Sequence, residues 1–190
     1  MASGFDIGLS IALGIALATA VGFRVFLPLL VVSIAAYSGH LTLASNFVWL
    51  ASLPAVIMLS VATGVEIFAY YIPAVDNLLD VIATPVALIA GVLVSAAVMT
   101  DLPPLLKWTT AIIAGGGMAG ITQAMTTLLR VKSTALTGGI GNPVLTTAET
   151  GGAVVISVLA LMAPIIAVVA SLILCWLVVR AVRRLKRARA

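Results

Sequence analysis

Long apolar runs separated by short polar stretches dominate this chain. Their lengths predict membrane-spanning helices, each needing about 20 mostly apolar residues. Five segments are predicted, at about 5–37, 47–71, 78–99, 104–129 and 152–179. The first is interrupted by Gly22-Phe23-Arg24 and by Pro28, so a bent or broken helix is expected there. A polar stretch, 130–150, separates the fourth segment from the fifth. The fifth ends in Arg180, Arg183, Arg184, Lys186, Arg187 and Arg189. The pattern predicts an all-α polytopic bundle: one transmembrane domain over 1–179, then a basic tail, 180–190.

Composition strengthens this reading. Of the 190 residues 63% are hydrophobic and 8% charged, with a mean hydropathy of +1.28, whereas a soluble domain carries roughly a quarter charged residues. The surface must therefore face lipid. The pI near 9.7 is no sign of nucleic-acid binding, because six of the ten bases follow the last apolar segment and serve as a topology signal. Residues 1–7 carry no base, and the apolar run outlasts a signal-peptide core, so the first segment is expected to be retained. Cys175 is the single cysteine and forms no intrachain disulfide.

Five crossings with a cytoplasmic tail place the N-terminus outside. Loops 38–46 and 100–103, with Lys107, then lie inside, and Arg130 and Lys132 outside. A re-entrant first segment would change that assignment. Ala20-Val21-Gly22 with Leu29-Leu30 also lines up with Met118-Ala119-Gly120 and Leu128-Leu129. Three crossings apart, such copies would form an inverted repeat, a common transporter plan with its site at the repeat interface. Gly14, Ala18 and Gly22, and Gly116 with Gly120, make small-residue stripes that allow close helix packing, within one chain or in a homo-oligomer.

A few polar residues stand out against this background. Arg24 lies deep in the first segment, where a base costs about 2.5–3.5 kcal/mol on insertion scales unless it finds a partner, water or an interface. Glu66, the acid within the second segment, is a candidate partner; desolvated, it is also a candidate to take up a proton. Asp76 and Asp80 share one helix face. They suit the positive end of a helix, with Pro73 ending the turn before them and Asp76 as cap, or with Glu66 a cation site. The stretch from Ser133, Thr134 and Thr137 through three glycines to Asn142-Pro143 predicts an irregular loop that lines a polar pathway or is an ordinary surface loop. Thr146-x-x-Glu149 fits a capping box opening the fifth helix. His40, the one histidine, falls in a loop. One histidine and one cysteine make no zinc set, and no phosphate loop is present. Neither enzyme activity nor a cofactor is expected.

Gly22-Phe23-Arg24-Val25-Phe26-Leu27-Pro28-Leu29-Leu30, Val65-Glu66 through Ile72-Pro73-Ala74-Val75-Asp76, and Ser133-Thr134 through Thr137-Gly138-Gly139-Ile140-Gly141-Asn142-Pro143 together resemble a bacterial integral-membrane family, domain of unknown function number 4126. The resemblance runs from about Leu9 to Val169 and implies a multi-spanning membrane protein of unassigned activity. The resemblance implies a lysine where this chain has Tyr71 and often a base where it has Thr84; if those bases pair with the nearby acids in relatives, Glu66, Asp76 and Asp80 are less compensated here.

The leading expectation is a small transporter or channel-like protein of the bacterial inner membrane, taking a small solute or ion. Arg24, Glu66, Ser133, Thr134, Thr137, Asn142 and Glu149 would line its pathway, with a proton- or cation-coupled step at Glu66. The competing expectation is a non-transporting protein that organises lipids or partner proteins, its basic tail on anionic headgroups at about 1 kcal/mol per residue.

Overall fold

The computed structural model describes residues 4–72 and 75–187. Pro73 lies outside them, and so does the end of the basic tail. Eight α-helices appear in order: α1 (Gly4–Val21), α2 (Phe26–Tyr37), α3 (Leu53–Tyr70), α4 (Val75–Val98), α5 (Pro104–Thr110), α6 (Gly117–Thr137), α7 (Asn142–Met162) and α8 (Pro164–Arg187). A 3-10 stretch, Ser45–Ala51, precedes α3, and a π-helical stretch, Ala111–Gly116, joins α5 to α6. The architecture is an all-helical bundle. Among the described residues four helical stretches are long and apolar enough to cross a membrane: Leu53–Tyr70, Leu78–Val98, Pro104–Thr137 and Asn142–Met162. Shorter apolar helices cover Asp6–Val21, Phe26–Tyr37 and Pro164–Leu177.

The first apolar segment is a hairpin. Ser95 Oγ donates to the Gly14 carbonyl at 2.9 Å, and Ala44 N donates to the Ala97 carbonyl at 2.8 Å. Residues on both sides of the break thus meet the last turns of α4. The break itself lies against the first two turns of α6, where Gly22 packs so tightly that a Cβ would sit 2.4 Å from Thr122 Cβ. The chain enters along α1, reverses at Gly22-Phe23-Arg24-Val25 and returns along α2 beside α3. Pro28 falls in the first turn of α2, where its missing N–H has no intrahelical role.

The last apolar segment is also two helices. A single helix would place Thr146 and Cys175 roughly 43 Å apart, yet Thr146 contacts Arg24 and Cys175 lies beside Phe23 and Thr122. Ala163, at φ −150 and ψ 76, and then Pro164 break the rod, and α8 runs back along α7.

These reversals correct the predicted topology. The end of the bundle holding the hairpin tip also holds the ends of α3 and α6, the starts of α4 and α7, and the C-terminal half of α8. Loops 38–46 and 100–103 lie at the opposite end, away from the C-terminus. Arg130 and Lys132 share the C-terminal end, where the sequence had them opposite the tail. The proposed repeat does not describe this arrangement either. Residue 14 meets Ser95 and residue 22 meets residues 119–123, while Gly115 also meets Ser95, so α1 and α6 run in the same direction.

Close packing holds the middle of the bundle. A Cβ on Gly91 would come within 2.4 Å of Ala119 Cβ, and one on Gly115 within 2.2 Å of Ser95 Oγ. The π-helical stretch brings Gly115 and Gly116 onto α4 at this point, and the missing side chains let the backbones approach.

Candidate functional site

The break that reverses the hairpin leaves the first amides of α2 without intrahelical partners. Glu66 on α3 accepts both: Val25 N–H to Oε1 at 2.7 Å and Phe26 N–H to Oε2 at 3.0 Å. A carboxylate here satisfies two donors and complements the helix dipole. The expected pairing of Arg24 with Glu66 is therefore replaced by a cap.

Arg24 turns instead toward α7. Its Nε donates to Thr150 Oγ1 and its Nη2 to the Thr146 carbonyl, each at 3.1 Å, and Nη2 lies 3.3 Å from Glu149 Oε2. Helical spacing puts Thr146, Glu149 and Thr150 on one face of α7. Thr146 is no helix cap, since α7 begins at Asn142; its hydroxyl donates to the Tyr70 carbonyl at 3.3 Å.

The same Glu149 oxygen accepts a hydrogen bond from Arg130 Nη2 on α6. Arg130 Nε lies 3.3 Å from Asp80 Oδ2 on α4. Both guanidinium carbons sit over the Tyr70 ring, Arg24 at 4.2 Å and Arg130 at 4.4 Å from its centroid, within cation–π range. One turn before Asp80, Asp76 accepts from Asn142 Nδ2 at 2.6 Å, and the same amide reaches Thr134 Oγ1 at 2.9 Å.

The result is a network across the hairpin tip and α3, α4, α6 and α7. Arg24 and Arg130 are each 1% exposed, so their charges depend on protein partners rather than bulk water. Those partners do not use every donor. Arg24 Nη1 and Arg130 Nη1 are buried without a hydrogen-bond partner, as is Asn142 Oδ1. Glu66, Asp76, Asp80 and Glu149 contribute four carboxyls against these two guanidiniums.

The structure thus gathers Arg24, Glu149, Asn142 and Thr134, and brings in Asp76 and Asp80. Ser133 and Thr137 are not part of the network. They close the end of α6, where Thr137 Oγ1 donates to the Ser133 carbonyl at 2.8 Å and accepts from Gly141 N–H at 3.0 Å. The expected irregular loop shrinks to 138–141, with Gly138 and Gly139 at φ 63 and 93. The proposed cation site of Glu66, Asp76 and Asp80 does not form, because each carboxyl serves a different partner. Among the described residues no group of three or more His, Cys, Asp or Glu side chains is placed to hold a metal.

Sequence reasoning passed over Arg130 and Thr150 as site residues and left Tyr70 without a role. A signal for Arg130 was present: Gln123, Thr126, Arg130 and Thr134 recur at three- and four-residue spacing and mark a polar face on α6. Of the two departures from the resembling family, Tyr71 donates to or accepts from Thr147 Oγ1 at 2.8 Å, and Thr84 Oγ1 donates to the Asp80 carbonyl at 3.0 Å.

No curated protein and no solved structure matches the chain. A family profile does match, over residues 11–184, and it covers the hairpin tip and every residue of the charge cluster. The chain belongs to the family described as domain of unknown function (DUF4126).

Proposed function

We propose that this protein is a small-solute transporter of the bacterial cytoplasmic membrane, coupled to a proton or cation through the buried charge cluster. The observation that carries the reading is the single Glu149 oxygen shared by Arg24 and Arg130. Arg24 belongs to the hairpin tip, Arg130 to α6 and Glu149 to α7, so one carboxylate ties three elements together. Hydrogen bonds involving a charged group contribute about 1.5–3 kcal/mol each. A proton or a competing cation at Glu149 weakens both contacts at once and frees the tip. The coupling role expected for Glu66 passes to Glu149, because Glu149 holds both guanidiniums whereas Glu66 contacts neither and caps α2.

The same reading sets orientation. With the C-terminal end in the cytoplasm, Arg130, Lys132 and the basic tail all lie inside, which suits the positive-inside rule. The N-terminus then lies outside, as the sequence suggested by a different route.

Purified protein in liposomes loaded with a pH-sensitive dye tests the coupling. A panel of small solutes added outside is expected to drive proton movement in wild type and not in Glu149→Gln. Equal proton movement in the variant, or none above empty liposomes for any solute, rejects the mechanism.

One observation favours the competing reading of a membrane protein that organises lipids or partners. Both guanidiniums are almost wholly enclosed by protein, as a dry structural ion-pair network would be. The liposome experiment separates the two, since a scaffold moves no solute.

A further inference from the structure

Beside the charge cluster, α3 and α4 part and leave a crevice of about 500 Å³, within the roughly 300–1,000 Å³ of small-molecule sites. Val61, Val65, Ile82 and Val86 stand on its two walls, with Glu66 and Tyr70 at one end. Val61, Val65 and Ile82 are exposed on the outside of the bundle. The crevice therefore opens sideways, where lipid chains surround a membrane protein, rather than toward water.

We propose that this crevice binds a lipophilic cation, its apolar body between α3 and α4 and its positive charge against the Glu66 carboxylate. The walls are aliphatic almost throughout, so they favour an apolar body that arrives through the bilayer. Among the described residues Glu66 is the only charged side chain lining the space. Its oxygens accept one backbone N–H each and keep lone-pair capacity for a further partner. Arg24, the base at the hairpin tip, is engaged on the far side by Glu149, Thr146 and Thr150. Arg24 and Arg130 lie against the Tyr70 ring at this end, where Glu149 and Asp80 pair with them; neither base lines the crevice. An anion in this position would face a carboxylate and no base on the wall, whereas a cation finds an opposite charge in a medium that screens it weakly.

This inference deepens the transport reading by naming its substrate class, and binding alone tests it. The probes are tetraphenylphosphonium and tetraphenylborate, ions of nearly one shape and opposite sign, titrated into the purified full chain. Saturable binding of the phosphonium is expected, with the borate at least about tenfold weaker. Ala83→Trp, which fills the crevice, and Glu66→Gln, which keeps an acceptor for α2 but removes the charge, are each expected to weaken phosphonium binding by about tenfold or more. Borate binding as tightly as phosphonium, an undiminished Ala83→Trp variant, or no saturable phosphonium binding by wild type overturns the proposal. The comparison of the two ions on wild type needs no variant to fold. Phosphonium binding without proton movement upholds the crevice and removes the transport reading; solute-driven proton movement without phosphonium binding does the reverse.

Discussion

Glu149 is the hinge of the charge cluster, because one of its oxygens serves guanidiniums from two elements. Buried pairs of this kind are costly to break singly, since the remaining partner keeps its desolvation penalty without its compensation. Arg130→Met is therefore expected to cost about 3–5 kcal/mol, and Arg130→Met with Glu149→Leu to cost less than the sum of the two single changes. Thermal unfolding of the purified variants in detergent measures this, and strictly additive losses would contradict the coupling. Arg24 and Glu149 were legible as candidates, because charge inside an apolar segment or at its edge is expensive. Their partnership was not. Arg24 and Thr150 are 126 residues apart in the chain, and no local spacing rule reaches that far. Glu66 shows the converse: its charge drew attention, but its role as a cap depended on a helix start supplied by another segment.

The hairpin break depends on a glycine that cannot be enlarged. At Gly22 a Cβ would meet Thr122 Cβ at 2.4 Å and the Ala119 carbonyl at 2.5 Å, and neither a short β-branched side chain nor backbone can move aside cheaply. Gly22→Ala is expected to destabilise by about 1–3 kcal/mol through overpacking. Gly64 lies inside α3 with nothing within 4 Å of its Cβ position, so Gly64→Ala is expected to stabilise by about 0.5–1 kcal/mol. Melting temperatures should move in opposite directions, and shifts of the same sign would refute the packing argument. The stripes Gly14–Ala18–Gly22 and Gly116–Gly120 were readable as close-packing faces, and the structure uses Gly14 against Ser95, Gly22 against α6 and Gly116 against Val92, all within the chain. The turn at Ala163-Pro164 was missed although Pro164 marks it, because a proline inside a long apolar run signals a kink or a stop equally well.

At the scale of the whole molecule the two reversals decide which loops share a side. In a Cys175→Ser background, His40→Cys and Asp101→Cys are expected to react together with a membrane-impermeant maleimide applied to intact cells. Ile140→Cys, 84% exposed in the 138–141 loop, is expected to react only after the membrane is opened. Positions 40 and 140 labelling from the same side would rule out the hairpin topology. The arrangement also explains the distribution of bases. Lys107, the one Lys or Arg among the described residues at the end opposite α8's C-terminal half, is largely buried, and under the proposed orientation Lys132 lies on the side that the positive-inside rule favours.

By itself the sequence determined that this chain is an all-helical bundle of long apolar segments, where its first segment breaks, and which polar groups had to be reconciled with an apolar interior. Those properties follow from segment length, side-chain transfer cost and the conformational limits of Gly and Pro, all of which act within a few residues. Tertiary structure alone decided that the first segment folds back, that Glu66 caps while Glu149 bridges, and that Arg130 and Tyr70 complete the cluster. A four-residue break permits a straight or a reversed path with similar local energy. The choice between them rests on packing of Gly22 against α6 and of α2 against α3, contacts that exist only once distant segments have met.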